Sequence, residues 1–469
     1  MRIAYKIILT LAGFFIFSLL SFVLASKVEA ATYCNANPEG NCYVDGSVGA
    51  SGNGKTPVTA FKTIQEAAGV VGPGDTVNVK GGITYSEKVT PAVSGTSGNV
   101  ITYKSWVGTG IPLIDASGED AGMSVLYKNY LKISGFEIIN VNQGGIPAGI
   151  ACYGGISNIL INNIIHDNLG YGIFASNYTG IFIYNNTIFN NSSSGLNMGY
   201  LGGSGAVLRN NIVMNSGDFG LASNSANVVI NHDYNLYLNN PGFPGLPEWG
   251  TDYMEINNIF ASPHDVHQDP LFLDLLSNDF RIPITSPAKD TGDTLTDILT
   301  DIIGVPRPQG SAYDIGAYEY YVITITLTPE TFITYDTSTP TFTGTAATVS
   351  PATIALVEYS LDGGTWTALG VSAADGAFDE SEEEYTITIP YELSEGEHTI
   401  QVRATDSYGN TTYFTMYANL EFEIELPKLP ETGMKVLLPM ISHFLIMLVF
   451  YRQVIVITRK FKKKWVFLT

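Results

Sequence analysis

Charge is what this sequence has least of. Only 14% of its 469 residues are Asp, Glu, Lys or Arg, against about 25% in ordinary globular chains. That scarcity argues against a coiled coil. With 45% apolar residues it also excludes wholesale disorder, which needs many charges and few apolar groups. Positive charge is scarcer still. Of 23 Lys and Arg, ten lie in residues 1–30 and 434–469, together with one acid; the stretch between holds 13 basic against 43 acidic residues, a net of −30. Such a body repels nucleic acid and anionic lipid, so no nucleic-acid partner is expected. An acidic polysaccharide would need a bridging cation or a local basic patch. What is plentiful is Gly (48), Tyr (27), Asn, Thr and Ser, a composition of turns and β-strands. The length predicts two to four domains at roughly 100–200 residues each.

The two ends read as addresses. Residues 1–30 form a secretory signal: Arg2 and Lys6 are the basic region, Ile7–Leu24 is apolar, and Val28-Glu29-Ala30 supplies small residues for cleavage. An uncleaved anchor is the alternative. Export agrees with a disulfide between Cys34 and Cys42 across a short Asn/Gly/Pro loop. At the other end Leu429-Pro430-Glu431-Thr432-Gly433 precedes an apolar stretch at about 436–457 and a basic tail. This looks like the LPxTG sorting signal of sortase substrates. The resemblance implies cleavage between Thr432 and Gly433, with sortase and the cell wall as partners. A plain tail anchor is the alternative, since Lys/Arg after an apolar span stay cytoplasmic.

Repeats dominate the body. Asn163, Asn186, Asn211 and Asn235 recur at spacings of 23, 25 and 24. Four residues on, Asp167, Asn190, Asn215 and Asn239 form a second ladder. Gly149-Ile150, Gly172-Ile173, Gly195-Leu196 and Gly220-Leu221 form a third. Between the first two ladders the residues alternate, which predicts strands with Ile165, Ile188 and Val213 on the same face as the Asn positions. A coil of about 24 residues with several short strands is one turn of a parallel β-solenoid. Both Asn ladders are expected to face inward, where stacked amides bond to one another and to backbone. Cys152 falls at an inward position beside Ala175 and is expected to be inert.

Here the chain resembles right-handed parallel β-helix proteins of the pectate-lyase-like superfamily. The opening carries the likeness: Tyr43-Val44-Asp45, Phe61 to Ala67, and Gly72-Pro73-Gly74-Asp75. Thr63–Val70 is expected to be a short helix capping the solenoid. The close, with Asp269-Pro270-Leu271-Phe272, Ser286 to Asp290 and Asp314 to Glu319, is similar to the choice-of-anchor Q segment of surface β-helix proteins. Residues 322–425 alternate Thr with apolar residues, with hairpin signals at Tyr359–Gly364 and Gly409-Asn410. They resemble bacterial Ig-like spacers.

Signals for chemistry are thin. A lyase on this fold needs a base for the sugar C5 proton and a cation to stabilise the developing carboxylate charge. In the repeats from about 133 to 280, the Lys/Arg side chains are Arg209 and, at the closing motif, Arg281. Arg209 is expected to face outward beside Tyr184. His166-Asp167-Asn168 looks like the start of a pectate-lyase calcium motif, but Leu169-Gly170-Tyr171-Gly172 replaces the acidic pair, so no cage of oxygen ligands forms there. His166 is expected at the surface beside Phe189 and Met214. Glu137 and Asp218 fall on different phases, so no glycosidase carboxylate pair is evident. His264-Asp265-Val266-His267 has metal-ligand types, yet it runs into the closing motif and reads as packing. Phe243 and Trp249, in a Pro/Gly loop, and Tyr184 are candidate sugar-stacking rings.

The expected architecture is all-β: a signal at 1–30, a right-handed parallel β-helix over 32–320 closing in an anchor-like segment at about 260–320, an Ig-like sandwich over 322–425, and a sorting signal over 426–469, with hydrophobic helices at both ends. The expected function is a surface-anchored module that binds polysaccharide or mediates adhesion, with no resident cofactor. The alternatives are a polysaccharide lyase using His166 and Arg209, where Ca²⁺ would enter, and a structural stalk.

Overall fold

The computed structural model describes Cys34 and residues 40–420 except 200, 202, 226–227, 243–251, 255–258, 329–332 and 336–338. The signal at 1–30, Leu429 to Gly433, the apolar stretch at 436–457, Phe243 and Trp249 lie outside the described residues. Among the described residues no helix is long and apolar enough to cross a membrane.

Three parallel sheets form the solenoid. Sheet A has eight strands: 41–44, 76–79, 101–105, 131–134, 156–161, 178–184, 203–209 and 230–233. Sheet B has seven, from 84–85 through 137–139, 164–166, 187–189 and 212–214 to 236–238. Sheet C has five, from 121–126 to 221–222. From 121 to 222 each chain turn contributes one strand to each sheet, and Asn158, Ile181, Ala206 and Ile230 stack in register along sheet A. The interior is a column of Ile, Val and Leu with Cys152 beside Ala175. Burial pushes the Cys152 thiol up to about 12, which leaves it protonated and unreactive.

The repeat is a pair of doublets, and each residue of a doublet has a different task. Asn162, Asn185 and Asn210 adopt φ of 52°, 51° and 58°, the left-handed conformation that Asn tolerates. This turns the chain from sheet A into sheet B and aims the following Asn inward. Asn163, Asn186, Asn211 and Asn235 are then fully buried. The Asn186 Oδ1 accepts from the Asn163 N–H and from Asn163 Nδ2, both at 3.0 Å. Asn211 does the same for Asn186, and Asn235 for Asn211. Every rung satisfies a backbone donor that would otherwise cost about 1–3 kcal/mol.

The second ladder is displaced by one residue from its expected place. Asp167, Asn190, Asn215 and Asn239 are the left-handed turn residues (φ 52–56°), and three of them are exposed, with Asn215 half-buried. The buried rungs are Asn168, Asn191, Ser216 and Asn240. The Val141 N–H donates to Asn168 Oδ1, Asn168 Nδ2 to Asn191 Oδ1, and the Ser216 N–H to Asn240 Oδ1. Simple alternation from the first ladder fails because a left-handed residue resets which face the next side chain takes.

The glycine ladder has a steric cause. A Cβ on Gly149, Gly172 or Gly195 would lie 2.3, 2.4 or 2.2 Å from the γ-carbon of Ile165, Ile188 or Val213. Sheet C thus approaches the inward side chains of sheet B more closely than any side chain permits.

At the N-terminal end a helix over Ile64–Ala68 caps the column. Thr63 and Glu66 form a capping box at its start, and Ile64, Ala67 and Ala68 cover Val44 and Val77. The Cys34–Cys42 disulfide closes this end.

Residues 270–320 return along the solenoid as a strap over the outer face of sheet B. Phe280, Ile282, Ile302, Val305 and Ile315 pack on Ile164, Phe189, Ile212 and Met214. The turn asparagines tether it: Asn162 Nδ2 donates to the Thr300 carbonyl at 2.8 Å, Asn185 Nδ2 to that of Asp314 at 3.0 Å, and Asn210 Nδ2 to that of Asp293 at 2.9 Å.

Residues 323–420 form two four-stranded sheets that share a core of Phe342, Tyr385 and Ile387 from one and Val357, Ile400, Val402 and Met416 from the other. Pairing is antiparallel except between Ile333–Tyr335 and Thr411–Leu420. Arg281 of the strap joins this unit by donating to the Tyr408 carbonyl at 2.7 Å and Asn410 Oδ1 at 2.6 Å.

Candidate functional site

His166 is not at the surface. It is 1% exposed because the strap covers sheet B, with Phe280 5.1 Å from its ring. Its Nε2 lies 2.9 Å from Glu137 Oε1 and its Nδ1 2.8 Å from Asp167 Oδ2. Burial disfavours the charged imidazolium, but the bonds to Glu137 and Asp167 outweigh it and raise the pKa. With both nitrogens engaged, the ring ties its own turn to Glu137 on the neighbouring strand and gives Phe280 of the strap a surface to pack on. Arg209 is on sheet A, so the fold does not bring the two together. Arg209 donates to the Asn231 carbonyl and Oδ1 at 2.9 and 2.7 Å, and its Nε lies 3.3 Å from Asp293.

The closing histidines are each paired with an aspartate. His264 meets Asp233 at 2.9 Å, His267 meets Asp252 at 3.2 Å, and His232 meets Asp265 at 3.4 Å. Asp265 is the last rung of the first ladder, accepting from the Asn235 N–H. Burial opposes its charge, yet His232 and the N–H groups of Ser262 and Asn235 hold its pKa below the usual carboxylate range. Among the described residues no group of three or more His, Cys, Asp or Glu is placed to hold a metal.

An open groove lies on the outer face of sheet A. Period-2 alternation sends Val77, Tyr103, Ile133, Ile183 and Leu208 inward and the residues between them outward. Register aligns the outward residues into two rows. One runs Asn78, Lys104, Ser134, Ile161, Tyr184, Arg209, Asp233; the other runs Thr76, Thr102, Lys132, Ile159, Phe182, Val207, Asn231. A groove of about 400 Å³ lies over the first rows of this face, with Thr102, Lys104, Lys132 and Ser134 as floor and Asp297 to Ile302 of the strap as one lip.

Lys104 and Lys132 are diagonal neighbours on adjacent strands, half-buried, and neither makes an ion pair with a described residue. Burial, and then the charge of Lys104, lower the Lys132 pKa, against a smaller opposite pull from Asp297. Two strands beyond Lys132 on the same face, outside the groove's lining, lie Phe182 and Tyr184, with ring centres 6.0 Å apart. Attention to bases only within the Asn-bearing coils passes over these lysines, because their coils precede the repeat. The available signal was alternation in Ile101-Thr102-Tyr103-Lys104-Ser105 and Leu131-Lys132-Ile133-Ser134, which points both ammonium groups outward.

Residues 105–258 match the family described as right handed beta helix region, and the solenoid is accordingly a right-handed β-helix. Among solved structures the chain is similar to pectate lyase Pel9A, with a TM-score of 0.30 and 17% identity over 60% of this chain and 96% of that one. It is also similar to an alginate lyase from Paenibacillus sp. str. FPU-7, with a TM-score of 0.27 and 17% identity over 38% of this chain and 74% of that one. No curated protein matches the chain.

Proposed function

We propose that this chain is a surface-anchored extracellular protein that holds acidic polysaccharide across the outer face of sheet A. The observation that carries the reading is the pair Lys104 and Lys132, two cations without ion partners among the described residues, lining a groove in a body where acids outnumber bases more than threefold. Unpaired ammonium groups beside each other repel, and an anionic ligand relieves that repulsion. Phe182 and Tyr184 then offer apolar rings to the C–H face of a neutral stretch of sugar. The signal at 1–30 and the Leu429 to Gly433 motif support secretion and covalent attachment at Thr432. The two-sheet unit over 323–420, taken as Ig-like, is the spacer that carries the groove away from the wall, and 260–320 is its anchor-type closing segment.

Lys132 favours a second reading. A half-buried amine whose charged form is destabilised by burial and by Lys104 is suited to accept a proton. Taking the C5 proton of a bound uronate, with expulsion of the C4 oxygen, would make the protein a polysaccharide lyase. One experiment separates the two readings. Purified protein is incubated with uronate polysaccharides, with and without Ca²⁺, and both retention and ultraviolet absorbance from unsaturated sugar ends are followed. Retention without absorbance, lost in Lys104→Ala and Lys132→Ala, supports binding. Absorbance that Lys132→Ala abolishes makes it a lyase. Neither signal leaves a structural stalk.

A further inference from the structure

The groove floor carries hydroxyls as well as ammonium groups, and we infer that together they select a phosphomonoester on a glycan over the carboxylate of a uronic acid. The inference rests on the reading that this face binds acidic polysaccharide, and it names the acid.

Register sets the array. The outward side chains are Thr102 and Lys104 on strand 101–105, and Lys132 and Ser134 on strand 131–134. Thr102 stands opposite Lys132, and Lys104 opposite Ser134. Each lysine thus has a hydroxyl residue as its cross-strand partner, and the two lysines lie on one diagonal. Adjacent strands are about 4.8 Å apart, and alternate residues along a strand about 6.6 Å apart. The diagonal is therefore about 8 Å, which long side chains span. Thr76, on the preceding strand, stands opposite Thr102 and extends the hydroxyl row. All five residues line the groove. Among the described residues the hydroxyls of Thr76, Thr102 and Ser134 have no hydrogen-bond partner, so they are free to serve a ligand.

Charge and oxygen count then decide between ligands. A carboxylate brings one negative charge and two oxygens. It balances one lysine, leaves the other in excess, and has no oxygen to spare for the hydroxyls. A phosphomonoester carries about −1.5 to −2 charges at neutral pH and three free acceptor oxygens. It balances both lysines at once and still accepts from Thr102 and Ser134. Lysine suits that role as a point charge, whereas the planar carboxylate is best met by the fork of an arginine. Arg209 of this sheet is already committed to Asn231 and Asp293. Two acids stand on the lip. Asp301 is buried, and its oxygens accept from the N–H groups of Ile303, Val305 and Glu319. Asp297 is exposed, where solvent screens its charge.

The test puts three acidic groups on one neutral backbone: dextran phosphate, dextran sulfate and carboxymethyl dextran, at matched substitution and ionic strength, each titrated against the full chain. Wild type is expected to bind dextran phosphate about tenfold more tightly than carboxymethyl dextran. Dextran sulfate, with three oxygens and one charge, should fall between them. The double variant Thr102→Val/Ser134→Ala, checked for an unchanged urea midpoint, should lose several-fold on dextran phosphate and stay within about twofold on carboxymethyl dextran. Carboxymethyl dextran bound as tightly as dextran phosphate, with no response in the double variant, overturns the selectivity. If Lys132→Ala then abolishes retention of both, the binding face still stands. Dextran sulfate bound as tightly as dextran phosphate overturns the role given to the second charge. Failure of wild type to bind any of the three overturns the face and the inference with it.

Discussion

Replacing Asn186 by Ala tests the ladder that holds successive coils together. Asn186 is fully buried. Its Oδ1 takes the Asn163 N–H and Nδ2, and its Nδ2 serves the Leu160 and Tyr184 carbonyls and Asn211 Oδ1, at 2.9–3.1 Å. Removing the amide orphans one buried backbone N–H outright, at about 1–3 kcal/mol. Asn163 Nδ2 keeps the Ile133 carbonyl and Asn211 Oδ1 keeps the Asn186 N–H, so those losses are partial. With the void left by the truncated side chain, the total is about 3–5 kcal/mol. The control is Asn190→Gly. Asn190 is the exposed turn residue at φ 52°, a conformation glycine adopts freely, so its change should stay within about 1 kcal/mol. Urea unfolding followed by circular dichroism measures both, from midpoints at unchanged slope. Equal costs for the two variants, or a cost below about 1 kcal/mol for Asn186→Ala, would refute the assignment of separate tasks within each doublet.

Three further outcomes follow from the same geometry. Gly172→Ala should destabilise by roughly 1–3 kcal/mol, because its new Cβ would lie 2.4 Å from Ile188 Cγ2 and 2.6 Å from the Gly195 carbonyl oxygen; urea midpoints measure it. The His166 contacts with Glu137 and Asp167, on which Phe280 of the strap packs, should depend on pH. The folded pKa of His166 is raised above the ordinary 6.5, so its stabilisation is complete below 6.5 and is lost as pH rises through the folded value; hydrogen exchange over residues 270–320 should quicken there in wild type, and His166→Gln should flatten the response. Arg281→Ala should loosen the joint between strap and two-sheet unit, seen as faster proteolysis at residues 406–410, without changing glycan retention, since Arg281 lies outside the groove.

The solenoid was legible because its coils repeat the same inward contacts. The first Asn ladder, the Cys152 position and the capping helix near Thr63 all follow from local pattern. The second ladder was read one residue early because backbone handedness at Asp167 and Asn190 is invisible to simple alternation. The placement of His166 depended on the strap, which lies more than a hundred residues away in sequence. No local periodicity tells which face of the solenoid such a return segment covers, so an outward position on sheet B was read as surface. The turn residues Asn162, Asn185 and Asn210 do signal the tether in retrospect: a polar side chain at every turn needs partners, and the strap carbonyls supply them. Lys104 and Lys132 sit in coils whose turns lack the Asn doublet, and their proximity arises only when strands 101–105 and 131–134 are set side by side.

The most direct measurement of the central claim is a lysine-labelling footprint. Protein with and without saturating acidic polysaccharide is acetylated briefly, and modification at each lysine is read by mass spectrometry. Lys62, exposed at the capped end, is the internal control. The account predicts strong protection of Lys104 and Lys132 and none of Lys62. Equal labelling of Lys104 and Lys132 in the presence of bound glycan would contradict it and move the site off sheet A.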